Sequence, residues 1–250
     1  MHATPDRAPG LAQDRVQERV REHPGDVVRA VVGTAAAGFV GYLILAALTV
    51  GMGLLLTREL VHGVVGRWDV DVARWFVQHR TPGRNDLSAA GSTVSATLTV
   101  VAVVVVAGVC LAIGRHWREL GIVLVAMAVE GATYLTATWV ISRHRPRVAR
   151  LEHLIVSDSF FSGHVAAAVA LYGSLAVVVW SLTRQPVIRA LLVALALVAP
   201  VVVASSRMYR GMHYLSDVSV GALVGLGCIV VAIVAVRVGA TVGATKVEQR

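Results

Sequence analysis

The chain has 250 residues, of which 56% are hydrophobic and only 15% charged, and its mean hydropathy is +0.70. Soluble domains carry about 25% charged residues, so this composition excludes an ordinary soluble domain and indicates a protein whose solvent is lipid. The formal net charge of +8 comes almost wholly from arginines that lie between apolar runs, as membrane-flanking cations do, which argues against a nucleic-acid partner.

Six apolar stretches are long enough to cross a bilayer, which takes about 20 residues per helix. We therefore expect an all-α, polytopic membrane protein with six transmembrane helices, at roughly 28–56, 89–114, 119–141, 163–183, 188–206 and 213–237. Polar residues 1–27 predict a cytoplasmic N-terminal tail, and residues 238–250 a C-terminal tail. Within the membrane domain, 28–237, the mixed tryptophans and charges of residues 58–87 predict an interfacial helix and loop.

The short connections between spans predict the orientation of the chain. Arg115 and Arg118 follow the second span, and Arg184 and Arg189 follow the fourth. Both connections lie on the same side as the two termini, which the positive-inside rule makes cytoplasmic. The connections on the opposite side are also rich in arginine, which topology does not explain. Those arginines point to a function.

Three polar clusters lie on the connections of the opposite side. The first two share the connection between the third and fourth spans and the third precedes the sixth span, so all three reach one membrane surface. They are residues 143–147, 161–164 and 206–217. Arginine presents a planar fork that matches phosphate oxygens and stays charged at any relevant pH. A Ser-Gly pair that opens a helix offers backbone N–H groups, a hydroxyl and the positive end of the helix dipole to an anion. The clusters therefore favour phosphate as the ligand.

Two histidines and an aspartate supply the reactive groups. His213 and Asp217 are four residues apart, which places them on one face of a helix. The carboxylate can hold one ring nitrogen of the imidazole and direct the other at phosphorus, while His164 is suited to proton transfer. Carboxylates with metal-ligand spacing are absent from the sequence, so we expect arginines rather than a metal or other cofactor to stabilise charge.

The residues Arg145-Pro146, Ser162-Gly163-His164 and Ser206-Arg207…His213…Asp217 resemble the three-part signature of the type 2 phosphatidic acid phosphatase (lipid phosphate phosphatase) superfamily. The third part matches with both of its spacings, and the similarity extends over roughly residues 28–237. The resemblance implies a metal-independent integral membrane phosphatase that forms a phosphohistidine intermediate, with its site on the extracytoplasmic side. The substrate would be a lipid phosphate or diphosphate drawn from the bilayer, such as a polyprenyl diphosphate, phosphatidylglycerol phosphate or phosphatidic acid.

The resemblance also implies a role for each matching residue. His213 would be the nucleophile, Asp217 its orienting partner and His164 the acid and base. The phosphate would be held by a cradle of four residues: Arg145, Ser162, Gly163 and Arg207.

The sequence departs from the family pattern at two positions. Thr138 stands where the first motif has a lysine, and Phe161 stands where the second has a proline. Arg143 is a candidate to replace the missing lysine. Glu130, in the third predicted span, is a further candidate because an ionisable residue inside a membrane is often functional, although pairing with another span would equally explain it.

Other functions remain open at this stage. The nearest is a lipid phosphotransferase, in which an alcohol rather than water resolves the phosphohistidine. A vanadium-dependent haloperoxidase shares the motif logic but belongs to larger, soluble proteins. A non-catalytic anionic-lipid binder or transporter would use the arginines alone and would tolerate loss of His213. The oligomeric state is not predicted.

Overall fold

The computed structural model describes residues 24–152 and 158–244, and within them every regular element is a helix. The long helices are α1 (Pro24–Arg58), α5 (Trp117–Val140), α6 (Gly163–Leu182), α7 (Pro186–Tyr209) and α8 (Leu215–Ala244). Between α1 and α5 lie a short 3-10 helix (Leu60–His62), α2 (Val64–Gln78), α3 (Pro82–Thr93) and α4 (Thr97–Ile113). An isolated β-bridge pairs His144 with Asp158.

Among the described residues, the five long helices are each long and apolar enough to cross a membrane, and the bent pair of α3 and α4 brings the number of spans to six when the pair is counted as one span. This confirms the predicted all-α, polytopic class. The ends differ from expectation: α1 begins within the predicted tail of residues 1–27, and α8 continues into the predicted tail of residues 238–250. The rest of those tails, residues 1–23 and 245–250, lies outside the described residues.

The second predicted span is not one straight helix. Residues 89–114 were expected to be continuous, but α3 ends at Thr93 and α4 starts at Thr97, with a bend of 41° between them. Hydroxyl side chains at the break compete with helical hydrogen bonds: the Thr93 hydroxyl donates to the Ala90 carbonyl at 2.6 Å. The Val94 carbonyl instead accepts a 2.8 Å bond from the Tyr172 hydroxyl of α6.

Helix α3 also begins earlier than predicted, inside the stretch 58–87 that was expected to be interfacial. The Thr81 side chain accepts a hydrogen bond from the Arg84 N–H, and Pro82 occupies the first turn. Proline suits that position because its missing N–H would have no helical partner there.

Helix α8 lies at the centre of the bundle and contacts α1, α5 and α6. Two glycines allow a close approach to α6. A Cβ atom at Gly221 would lie 2.6 Å from the Ser162 carbonyl oxygen, and one at Gly225 would lie 2.7 Å from that of Ala166. The beginnings of α6 and α8 are therefore held side by side, which brings the second and third polar clusters together.

Helix α2 is amphipathic, as the stretch 58–87 predicts. Its inner face buries Asp69 and Ala73, whereas Trp68 and Trp75 are 61% and 53% exposed on the other face. An apolar outer face of this kind suits the membrane–water interface. The inner face contacts α7 and α8.

Candidate active site

His213 lies in the turn between α7 and α8 and is 5% exposed. Gly211 gives this turn its shape by adopting a φ of +75°, a left-handed conformation that glycine tolerates. The Nδ1 atom of His213 lies 2.8 Å from the backbone carbonyl of Ser159. Because a carbonyl can only accept, Nδ1 carries the proton, and Nε2 of a neutral ring keeps its lone pair for attack.

The electrostatic surroundings keep His213 neutral. Burial lowers the pKa of His213 well below its ordinary value of 6.5, and the positive charges of Arg207 and Arg145 lower it further. A neutral imidazole is the nucleophilic form, so this site favours the reactive state at physiological pH.

Asp217, at the first turn of α8, is fully buried, but it does not bond directly to the imidazole. Its Oδ2 lies 4.0 Å from Nδ1 of His213 and accepts a 2.9 Å hydrogen bond from the Tyr214 N–H. Its Oδ1 pairs with Arg143. Asp217 therefore shapes the turn that carries His213, and the Ser159 carbonyl is the group that holds the ring.

Arg143 is engaged away from the proposed phosphate cradle. One terminal nitrogen contacts Asp217, and the other donates to Asp69 of α2 at 2.7 Å. Burial alone would lower the pKa of Arg143, but these two carboxylates outweigh it and raise the pKa. The geometry thus favours a charge-pairing role for Arg143 over replacement of the family's lysine, whose position Thr138 occupies.

Arg207, near the end of α7, is 5% exposed and faces a carboxylate that the sequence did not single out. One terminal nitrogen donates to Glu152 at 2.7 Å and to the Ser92 hydroxyl at 2.9 Å. Glu152 also pairs with Arg210. Burial alone would raise the pKa of Glu152, but Arg207 and Arg210 outweigh it and lower the pKa, so Glu152 is ionised at neutral pH.

Two buried donors beside this cluster have no hydrogen-bond partner among residues 24–152 and 158–244. They are the hydroxyl of Ser162, which is fully buried, and the Nε–H of Arg207. Buried polar groups are almost always hydrogen-bonded. An unpaired hydroxyl and an unpaired guanidinium N–H are the groups that an anionic oxygen satisfies.

Ser162 and Gly163 stand at the beginning of α6, as the motif predicts. Ser162 is the N-cap residue, yet its side chain does not cap the helix, and its N–H donates to the Asp217 carbonyl at 3.2 Å. A Cβ at Gly163 would lie 2.8 Å from the ring of Tyr134, so glycine fits this close contact. Phe161 is buried edge-on against the same ring, at a centroid distance of 5.8 Å.

Arg145 lies in the connection between α5 and α6 and is partly buried. Its NH1 donates to the carbonyl of Met212 at 2.6 Å, immediately before His213. Burial lowers the pKa of Arg145, as does the positive charge of Arg207. The positive charges of Arg145 and Arg207 repel one another, and an anion bound near both would relieve that repulsion.

A cavity of about 300 Å³ opens beside Arg207 and His164. Its polar lining consists of Ser92, Thr93, Glu152, His164, Arg207 and Arg210. The bend between α3 and α4 supplies one wall, and the imidazole of His164 faces the same space as the Arg207 guanidinium. This arrangement gives room for a leaving group next to a group that can transfer a proton.

Two of the predicted candidates lie apart from the cluster. The Thr138 hydroxyl donates to the Leu135 carbonyl at 2.9 Å within its own helix. Glu130 is buried in α5, ten residues and therefore about 15 Å of helix before Val140. It does not line the cavity.

Sequence reasoning missed three groups that the structure brings to the site. Asp69 is a carboxylate on the inner face of an amphipathic helix, a position that could have marked it as buried. Glu152 has no comparable signal, since it stands in an irregular connection. The Ser159 carbonyl belongs to the backbone, so no residue type in the sequence marks it. In residues 24–152 and 158–244, no cluster of three or more His, Cys, Asp or Glu is arranged to hold a metal ion.

Comparison with known proteins gives a family match. The PAP2 superfamily model matches residues 119–239, the segment that contains all three motifs. No curated protein sequence matches the chain significantly.

Two solved structures share the fold. The first is a transmembrane PAP2-type phosphatidylglycerolphosphate phosphatase from Bacillus subtilis, with 24% identity and a TM-score of 0.59 over 81% of this chain and 93% of that one. The second is LpxE from Aquifex aeolicus, with 20% identity and a TM-score of 0.53 over 66% of this chain and 94% of that one.

Proposed function

Because the chain belongs to the PAP2 superfamily, we propose that it is a membrane phosphatase that hydrolyses a lipid phosphate or diphosphate through a phosphohistidine intermediate. One observation carries the proposal. Among the described residues, the Ser162 hydroxyl and the Arg207 Nε–H are unpaired and lie in the motifs that surround His213, whose Nδ1 is held by the Ser159 carbonyl so that Nε2 is the attacking atom. A bound phosphate would satisfy both donors and present its phosphorus to the imidazole.

The first step breaks the bond between phosphorus and the leaving oxygen. The Nε2 lone pair of His213 attacks phosphorus, while His164, protonated once the negative charge of the phosphate is bound beside it, gives that proton to the departing oxygen. Arg207 and Arg145 stabilise the negative charge that develops on the equatorial oxygens. The Ser159 carbonyl accepts a hydrogen bond from the Nδ1–H throughout, which stabilises the positive charge that the ring acquires.

The second step hydrolyses the phosphohistidine. His164, now neutral, takes a proton from water as the oxygen attacks phosphorus, and the bond to Nε2 of His213 breaks. Inorganic phosphate leaves and the histidine is restored. No residue in this sequence of steps requires a metal ion, so we expect activity to survive a chelator.

The lipid nature of the substrate is supported by the setting of the site. The cavity lies at the ends of spanning helices, where an amphiphile diffuses in from the bilayer. We place this end on the extracytoplasmic side and both termini in the cytoplasm, because Arg115, Arg118, Arg184 and Arg189 lie at the opposite ends of the spans.

The test is phosphate release in detergent micelles from polyprenyl diphosphate, phosphatidylglycerol phosphate, phosphatidic acid and a water-soluble phosphate ester. His213→Ala and His164→Ala should each lower turnover by at least about a hundredfold, the scale of lost proton transfer or nucleophile. His116→Ala, at the other end of the bundle, should match the wild type. Turnover that survives both active-site substitutions would sink the mechanism, and transfer of phosphate to an added alcohol would identify a phosphotransferase.

A further inference from the structure

Asp69 is a buried carboxylate on α2, a helix that carries none of the residues assigned to the reaction. Its side chain is 3% exposed, whereas Asp71 on the same helix is exposed. Burying a carboxylate is costly unless it is paired and hydrogen-bonded. The groups that compensate Asp69 therefore indicate what the residue does.

Asp69 contacts the beginning of α8. Its Oδ1 accepts the Ser216 N–H at 2.9 Å, and its Oδ2 accepts the Ser216 hydroxyl at 2.6 Å. These bonds fall in the first turn of α8, where backbone N–H groups lack helical partners and the helix dipole favours negative charge. A carboxylate from a surface helix thus caps the helix that follows the nucleophile.

Arg143 continues the network to Asp217. It donates to Asp69 at 2.7 Å and to the Ser216 hydroxyl at 2.9 Å, and it also pairs with Asp217. Its guanidinium lies 4.7 Å from the centre of the Tyr214 ring. Arg143 therefore contacts both Tyr214 and Asp217. These two residues are joined by a hydrogen bond from the Tyr214 N–H to the Asp217 carboxylate, which closes the turn after His213.

We infer that Asp69 is a positioning residue of this active site: through Arg143 and Ser216 it fixes the turn that presents His213 for attack. The inference rests on the proposed phosphatase function, because it concerns the same nucleophile. One guanidinium shared between two carboxylates holds α2, the α5–α6 connection and α8 in a single arrangement. Fixing the reactive group through such supporting contacts is a common requirement for catalysis.

The decisive variant is Asp69→Asn, assayed on a lipid phosphate in micelles and on p-nitrophenyl phosphate in water. We expect kcat to fall about tenfold or more on both substrates, because a displacement of about 1 Å in a reacting group can lower the rate by about a hundredfold. KM should stay within about twofold, since Asp69 does not touch the phosphate. Asp71→Asn is the matched control and should retain the kcat of the wild type.

A second variant keeps the inference testable if Asp69→Asn unfolds. Ser216→Ala removes the hydroxyl that bridges Asp69 and Arg143, and it should give the same kcat loss with unchanged KM. Thermal unfolding in detergent should remain within a few degrees of the wild type. The double variant should be less than additive in kcat, because the two residues act in one network.

Three results would overturn the inference: an unchanged kcat, a loss confined to the lipid substrate, or fully additive losses. A lipid-only loss would show that Asp69 serves to seat α2 on the membrane. The fate of the proposed function is read separately. A wild type without phosphatase activity would refute that function, whereas an active wild type with a fully active Asp69→Asn variant would refute only the positioning role.

Discussion

Arg207 meets two kinds of negative charge in this site, one supplied by the chain and one that the substrate would bring. Glu152 occupies a terminal nitrogen of the guanidinium at 2.7 Å, while the Nε–H is left unpaired. The carboxylate holds the arginine in place, but it also reduces the positive charge available to a phosphate. Orientation and affinity are therefore opposed at this residue.

Glu152→Gln separates the two effects. The amide oxygen can still accept from Arg207, so the guanidinium should keep its orientation, while the competing charge is lost. We expect the inhibition constant for inorganic phosphate to fall a few-fold, in line with about 1 kcal/mol for a partly exposed charge. The measurement is competitive inhibition of ester hydrolysis, with Glu119→Gln at the other end of the bundle as control. Weaker phosphate binding in Glu152→Gln would mean that its charge is needed to hold Arg207.

At the scale of helices, the catalytic geometry depends on how closely α6 approaches α8. Ser162, Gly163 and His164 begin α6, and their distance from the nucleophile is set by the contact at Gly221. The space at that contact is smaller than a methyl group, as the 2.6 Å separation from the Ser162 carbonyl indicates. A change at this contact should therefore alter the active site.

Gly221→Ala tests this dependence. The added methyl group should push the start of α6 away from α8, at a cost of about 1–3 kcal/mol for overpacking, and lower kcat/KM with little effect on expression. Gly131→Ala is the matched control, because a Cβ there meets nothing within 4 Å. The readouts are turnover in micelles and thermal unfolding. Equal behaviour of the two variants would refute a role for close packing at Gly221.

The helices and the motif residues were predictable from the sequence for different physical reasons. Long apolar runs predict the spans because a helix that crosses lipid must be apolar over about 20 residues. The spacing of four residues between His213 and Asp217 predicts that they lie about one helical turn apart. The bend between Thr93 and Thr97 escaped prediction, because composition alone does not show whether hydroxyl groups will interrupt a helix. Asp69 escaped as well, since its partner Arg143 is 74 residues away and only the tertiary fold brings the two together.

At the scale of the whole molecule, all of the reactive groups lie at one end of the bundle. The connections after α5 and α7 carry Arg145 and His213, while the connections after α4 and α6 carry the arginines that predict the cytoplasmic side. In the proposed orientation, a substrate would reach this end from outside the cytoplasm. Apolar side chains such as Leu48 and Leu197, both 66% exposed, cover the flanks that would face lipid.

This orientation predicts where a polar substrate can reach the site. Intact cells expressing the protein should hydrolyse a membrane-impermeant phosphate ester added to the medium, and permeabilising the cells should add little to the rate. Cells expressing His213→Ala at the same level provide the background from other phosphatases, and the difference between the two is the measured quantity. The opposite orientation would hide the cavity behind the bilayer, so that the difference would appear only after permeabilisation. Arginines lie at both ends of the bundle, so this measurement decides which end faces the medium.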